Sequence, residues 1–462
     1  MLFSTPQFFL FFLVVLVLFY AAPRAWGRVI LLVASYYFYA RWNWKFIPLL
    51  LSLTVIDYIA AIWIEEKTGA KRRFAIVVSI AANLGFLGFF KYYNFAASNF
   101  ASVLGLPPNH FFLAVVLPLG ISFHTFQSIS YVVDVYRGQQ KAIRRPIDYA
   151  LFISFFPQLV AGPIVRARNF FADLDNWQPP TQADIQYGSY LIAMGLTKKI
   201  VLADNFAAVA DPYFGSVTAH PGGTMARGAV FAFTLQIFFD FSGYTDIAIG
   251  LARLLGFHFP INFRRPYLAT SISDFWRRWH ISLSTWLRDY LYIPLGGSRR
   301  GSLLTYRNLM LTMLLGGLWH GASWNFVIWG GYQGVLLSVE RLLGLGDRSR
   351  KPGIVLRVPA MLITFALVSI GWVFFRAPTL PDSLIVLRAL FARNLGNWPV
   401  PASMMCLAAA SLVIAVLEER FGLGERISRA PMWSVAAVIG VLLFLVELFG
   451  QDKSIPFIYF QF

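Results

Sequence analysis

The chain runs to 462 residues, 58% of them hydrophobic, with 39 lysines and arginines against 22 aspartates and glutamates, a formal net charge of +17. In a soluble protein that charge would suggest nucleic acid. Here the basic residues lie between apolar stretches near the ~20 residues that cross a bilayer, where they set orientation, so nucleic acid is not expected as a partner. Cys406 is the single cysteine, which excludes an intramolecular disulfide and a cysteine-rich metal site.

The expected fold class is an all-α polytopic membrane protein, one integral unit over 1–462 with no repeat and no linker long enough to part off a soluble domain. Met1 to Tyr20 is apolar without a basic front or small-residue cleavage signal and reads as a retained first span. Further spans are predicted at 28–40, 46–63, 74–90, 111–136, 187–203, 225–252, 307–319, 324–343, 354–375, 403–417 and 433–449. Lys67, Lys71, Arg72 and Arg73, and then Arg137, Lys141, Arg144 and Arg145, mark cytoplasmic loops. Arg341, Arg348, Arg350, Lys351 and Arg357 mark another. Counting crossings places both termini outside.

Between these spans, 152–165 carries Pro157, Gly162 and Pro163. Broken backbone at membrane depth survives only when buried in protein or facing water, so the segment reads either as re-entrant or as a kinked, packed helix. The stretch 253–307 differs again. It holds nine arginines (Arg253, Arg264, Arg265, Arg277, Arg278, Arg288, Arg299, Arg300, Arg307) against Asp274 and Asp289, with no lysine or glutamate. Guanidinium forks suit phosphates and carboxylates; contact with anionic membrane lipid is the other reading.

At 100° per residue, 273–290 forms an amphipathic helix at the cytoplasmic boundary. Trp276, Trp279, His280, Leu283, Leu287 and Tyr290 share one face, and Asp274, Arg277, Arg278, Thr285 and Arg288 the other. His280 thus points inward, as a core histidine or a functional one.

Trp319-His320-Gly321 sets a titratable residue inside the apolar run from Leu309 to Leu337, a functional position by default. Gly316, Gly317 and Gly321 weaken the helix there, and Ser323 can cap a new helix from Trp324. His320 therefore sits at a helix break, lining a cavity, with the following helix start keeping its ring neutral. Bonding to a backbone carbonyl is the structural alternative. Trp319, Trp276, Asn325, His124 and Asp246 are candidate cavity-lining residues. Asp240 and Asp246 are intramembrane carboxylates expected to pair with arginine or to shape the acceptor path. His110, His220 and His258, in loops beside Pro, Gly or a turn, read as structural.

The sequence has no P-loop, nucleotide fingerprint, Gly-x-Ser-x-Gly elbow or His-Glu-x-x-His motif. A hydroxyl acceptor attacking a thioester fits a neutral buried histidine beside an arginine-rich face, with the histidine taking the hydroxyl proton and helix-start dipoles holding the oxyanion. A proton-coupled transporter or flippase for an anionic group, and a structural subunit of a polysaccharide-export complex, are the alternatives from other classes.

The runs Phe275-Trp276-Arg277-Arg278-Trp279-His280-Ile281-Ser282, Tyr292-Ile293-Pro294-Leu295-Gly296-Gly297 and Gly317-Leu318-Trp319-His320-Gly321-Ala322 closely resemble the membrane-bound O-acyltransferases, in their alginate O-acetyltransferase branch. So do Ala161-Gly162-Pro163-Ile164, Asp240-Phe241-Ser242-Gly243-Tyr244-Thr245-Asp246 and the closing Pro456-Phe457-Ile458-Tyr459-Phe460. The resemblance covers nearly the whole chain. It implies a ring of helices with re-entrant and interfacial helices around a central funnel. It also implies that His320 is the catalytic histidine and His280 the second histidine of bacterial members. The implied reaction takes acetyl from a cytoplasmic donor, acetyl-CoA, with no tightly bound cofactor or metal. A periplasmic partner protein then passes the group to an exopolysaccharide, all from the bacterial inner membrane. Arg277, Arg278, Arg288, Arg299 and Arg300 are candidates for the donor's phosphates on charge alone.

Overall fold

A computed structural model describes residues 1–160, 162–219, 222–299, 301–345, 353–393, 397–450 and 455–458. Among them the regular structure is helical throughout, as the recurring apolar stretches require: with no water to satisfy it, spanning backbone must bond within its own helix. Arg24–Glu66 and Gly69–Val103, each interrupted by a local change of helix type, and Val355–Arg376, Ala402–Phe421 and Met432–Phe449 are long and apolar enough to cross a membrane. The chain is a multi-pass membrane protein. The expected spans near 187–203, 225–252, 307–319 and 324–343 are also helical, and they too carry buried polar residues, among them Lys199, Asp240 and Gln333.

By packing, the chain forms two compact units, Met1–Thr181 with Leu251–Pro260, and Gln182–Gly250 with Ile261–Phe462. In the first, the helices Ile47–Glu66, Gly69–Leu87 and Ile121–Tyr136 pack on one another, and Pro146–Ser154 packs on the Arg24–Asn43, Ile47–Glu66 and Ile121–Tyr136 helices. The predicted span 111–136 is helical only from Ile121. Pro118 offers no N–H to a helix, and Gly120 takes φ 73° where a side chain would meet the Leu159 carbonyl oxygen at 2.3 Å.

The described residues of 152–165, those at 152–160 and 162–165, are broken and buried. The Pro146–Ser154 helix ends at Phe155, whose φ of −51° and ψ of 111° leave the helical region, and a single turn follows over Phe156–Leu159. The freed groups are satisfied by side chains: the Phe156 N–H donates to Ser35 Oγ at 3.2 Å, and Gln158 Nε2 donates to the Phe152 carbonyl at 2.5 Å. Phe155 packs against Phe170 and Phe257, at 5.4 and 4.8 Å between ring centroids.

The second unit is organised around a hairpin of the Ser302–His320 and Trp324–Leu342 helices. A Cβ on Gly317 would stand 2.3 Å from the Phe326 carbonyl oxygen, and one on Gly330 2.3 Å from that of Met313. The two backbones therefore touch, the arrangement small residues permit between membrane helices.

Candidate active site

The hairpin turn delivers the first histidine. His320 is the last residue of its helix, Gly321 is extended, and the next helix starts at Trp324. Gly321 admits no side chain, because its Cβ would lie 2.0 Å from the Phe326 ring. The helix break expected from the glycines is present, and Ser323 occupies the N-cap position, although its side chain makes no capping hydrogen bond. His320 stands at the end of one helix as well as ahead of the next. The fields of the two helix ends oppose each other there, rather than the following helix start acting alone as expected.

His320 is buried at 6% exposure among aromatic rings. Trp319, Trp329 and Phe375 meet it edge-on at 4.9, 5.2 and 5.2 Å. Trp372 closes the wall, stacked on Trp329 at 5.8 Å and packed against Phe375 at 5.3 Å. Trp276 packs on Trp329 at 5.9 Å and donates from Nε1 to Gln333 Oε1 at 3.3 Å. Such a wall excludes water and strengthens any electrostatic interaction inside it.

His280 arrives on a different device. The expected continuous helix over 273–290 is interrupted: helices span Ile272–Arg278 and Ile281–Leu287, with Trp279 extended and His280 left-handed at φ 42°, ψ 55°, and a π-helical turn covers Arg288–Tyr292. Asn262 fixes the kink by accepting Ile281 N–H at its backbone carbonyl, at 2.9 Å, and Ser282 N–H and Ser282 Oγ–H at Oδ1, at 3.0 and 2.9 Å. The same Oδ1 lies 3.3 Å from His280 Nδ1. Since that oxygen only accepts, Nδ1 carries the ring proton and Nε2 the lone pair. Burial holds the imidazole well below the usual histidine range, so it is neutral at physiological pH. Trp319 stands between the histidines, 6.2 Å from the His280 ring and 4.9 Å from that of His320.

Glu340, 7% exposed, holds the arginine-bearing helix by accepting from the Ile272 and Ser273 amides at 2.5 and 3.0 Å, a carboxylate at a helix start. The arginines themselves divide. Arg278 is committed to Asp274 at 3.0 Å and to both oxygens of Glu419 at 3.2 Å, and Arg265 reaches Glu419 at 2.7 Å. Arg277 lies 3.7 Å from Asp274, Arg288 pairs with Asp289 at 2.8 Å with its side chain 59% exposed, and Arg299 is exposed. Arg300 falls outside the described residues, as do His220, Arg348, Arg350, Lys351, Ala161, Tyr459 and Phe460.

The other expected residues sit as follows. Asn325 is buried and donates to the Ala377 carbonyl at 2.8 Å, tying two helices. Asp246 pairs with Lys198 at 2.5 Å, and Asp240 with Lys199 at 2.7 Å while accepting from the Ile458 amide at 2.6 Å; the partners are lysines, not the expected arginines. His124 is buried in the first unit. His258 packs on Asp173 at 3.5 Å, and His110 is exposed beside Phe111. The residues the sequence left unnoticed are Trp329, Trp372, Phe375, Asn262, Glu340 and Glu419. Only Glu340 and Glu419 carried a signal, as acidic residues within apolar runs.

Comparison with known proteins gives the family. The family model described as membrane-bound O-acyltransferase matches residues 143–348. The probable alginate O-acetylase AlgI of Pseudomonas putida is 41% identical, covering 100% of both chains. The peptidoglycan O-acetyltransferase of Helicobacter pylori is 40% identical over 85% of this chain and 80% of its own. The teichoic acid D-alanyltransferase of Bacillus subtilis is 30% identical over 56% of this chain and 68% of its own. With end-to-end similarity at that level and a buried histidine at the hairpin turn, the chain belongs to the membrane-bound O-acyltransferase family and is an O-acyltransferase.

Proposed function

We propose that the chain takes an acetyl group from acetyl-CoA on the cytoplasmic side of the bacterial inner membrane and passes it to a hydroxyl on a periplasmic partner protein. The group ends on an exopolysaccharide, alginate by likeness to the Pseudomonas relative. The N-terminus is periplasmic, and the helices ring a central funnel. The observation that carries the reading is the helix break that buries His320 among Trp319, Trp329 and Phe375. It supplies a base in a dry chamber, which acyl transfer to a hydroxyl needs.

In the step proposed, the acceptor oxygen attacks the thioester carbonyl while His320 takes its proton. The tetrahedral intermediate collapses, the C–S bond breaks, and the leaving thiolate takes up the proton. A base in this position contributes about 10²–10⁴-fold. His280, oriented by Asn262, is a positioning residue acting through Trp319. Arg277, Arg288, Arg299 and Arg300 are the proposed contacts for the donor's phosphates. Arg278 is the weakest of the original five because Glu419 and Asp274 already engage it.

The test is thiol release from acetyl-CoA by the full chain in nanodiscs with its partner protein, in a Cys406→Ser background that removes the chain's own exposed thiol. Release falls about 10²–10⁴-fold in His320→Ala. Undiminished release in that variant overturns the reading. Substrate movement that loses only its pH dependence indicates a transporter instead.

A further inference from the structure

Asp57 sits in the Ile47–Glu66 helix, fully buried inside the first unit. Its Oδ1 accepts from Ser79 Oγ at 2.6 Å and from Asn83 Nδ2 at 2.8 Å, both on the Gly69–Leu87 helix. Its Oδ2 has no hydrogen-bond partner among the described residues. Nor do the Asn83 carbonyl oxygen and the Tyr149 hydroxyl. The Ser128 hydroxyl, on the Ile121–Tyr136 helix, lies beside both Asp57 and Tyr149 but completes a well-formed hydrogen bond with neither. Four helices that pack on one another thus each carry one underused oxygen, on Asp57 or on residues that neighbour it or Ser128.

An ionised carboxylate at membrane depth needs a counter-charge. Among the described residues no lysine, arginine or histidine forms an ion pair with Asp57. His124, one turn before Ser128 on the same helix face, is the basic residue closest in sequence to these ligands on that helix.

We propose that Asp57 Oδ2, Asn83 Oδ1, Ser128 Oγ and the Tyr149 hydroxyl form a binding site for a small monovalent cation, sodium. A donor set made only of oxygen suits a hard cation, and one carboxylate balances one positive charge. A proton on Oδ2 would also neutralise Asp57, but it engages a single neighbour and leaves the Asn83 carbonyl buried and unmet, which is unfavourable. A cation at the centre meets all four oxygens together. The site lies wholly within the first unit and does not depend on the acyl-transfer reading.

The test uses the full chain in nanodiscs without acetyl-CoA, with radiolabelled sodium as the probe and thermal unfolding in sodium or choline chloride at equal ionic strength. Expected are saturable sodium binding and a melting temperature about 2–4 °C higher in sodium at roughly ten times the half-saturating concentration. Asp57→Asn removes both effects. Should that variant fail to fold, Ser128→Ala raises the half-saturating concentration about tenfold while the protein still assembles. Identical melts in the two salts with no saturable binding overturn the proposal. So does a melt that ignores salt and responds only to pH, which assigns the place to a proton, and so does binding unchanged in both variants.

Discussion

In the second unit, Asp204 and Asp240 share the Lys199 ammonium at 2.7 Å each and Asp246 meets Lys198 at 2.5 Å, whereas in the first unit Asp57 faces only hydroxyls and an amide. Both arrangements answer the cost of a charge away from water, but they answer it with different permanence. Lysine partners are covalently part of the chain, so the counter-charge near Asp240 is fixed at synthesis. An oxygen cage must borrow its counter-charge from solution. The unit with His280 and His320 carries lysine counter-charges for its buried aspartates within the chain, and the other leaves Asp57 without one among the described residues.

The sharpest way to break this comparison is to remove a built-in partner. Lys199→Met strands two buried carboxylates and should cost about 3–5 kcal/mol, seen as a collapse of the melting temperature in nanodiscs. Asp57→Asn in choline chloride, where no small cation competes, should cost less than about 1 kcal/mol. Equal losses would show that the two interiors are neutralised alike.

A middle case is Asn262→Ala, which strips the acceptor from Ser282 and His280 without touching a charge. Leaving these donors buried should cost about 1–3 kcal/mol. Thiol release should fall through kcat with KM held, because the kink and not the donor contacts is disturbed. The smallest effect is expected at the rim. Glu419→Gln loosens Arg265 and Arg278 from a partly exposed carboxylate, worth about 0–1 kcal/mol and fading as salt is raised. A larger, salt-insensitive loss would mean that this pair belongs with the buried ones.

Local chemistry in the sequence made the hairpin turn legible. Gly317, Gly321 and Ser323 around His320 can be read directly as a break, and the proline and glycines near 157–163 as irregular backbone. The inward sidedness of 273–290 was also readable, and Trp279, His280, Leu283 and Leu287 are all buried. What stayed hidden was long-range. Glu419 lies 141 residues from Arg278, so the charge that engages Arg265 and Arg278 is invisible locally, and Glu340 lies 67 from Ser273, so the carboxylate at the start of the Ile272–Arg278 helix is invisible too. Helical periodicity assumes that every residue is right-handed, so it carried straight through Trp279 and His280. The chamber around His320 draws Trp329 and Phe375 from two further helices, each of which alone reads as ordinary apolar filling.

The left-handed backbone at His280 also decides how its chemistry can be probed. A non-glycine residue at φ 42° is held there by its surroundings, and most side chains resist that conformation. Alanine at 280 would therefore delete an imidazole and also stress a turn, and a dead variant would not say which loss mattered. Asparagine tolerates the left-handed region far better and glycine adopts it freely. Activity compared between His280→Asn and His280→Gly, with alanine as the strained reference, separates what the ring does from what the turn does.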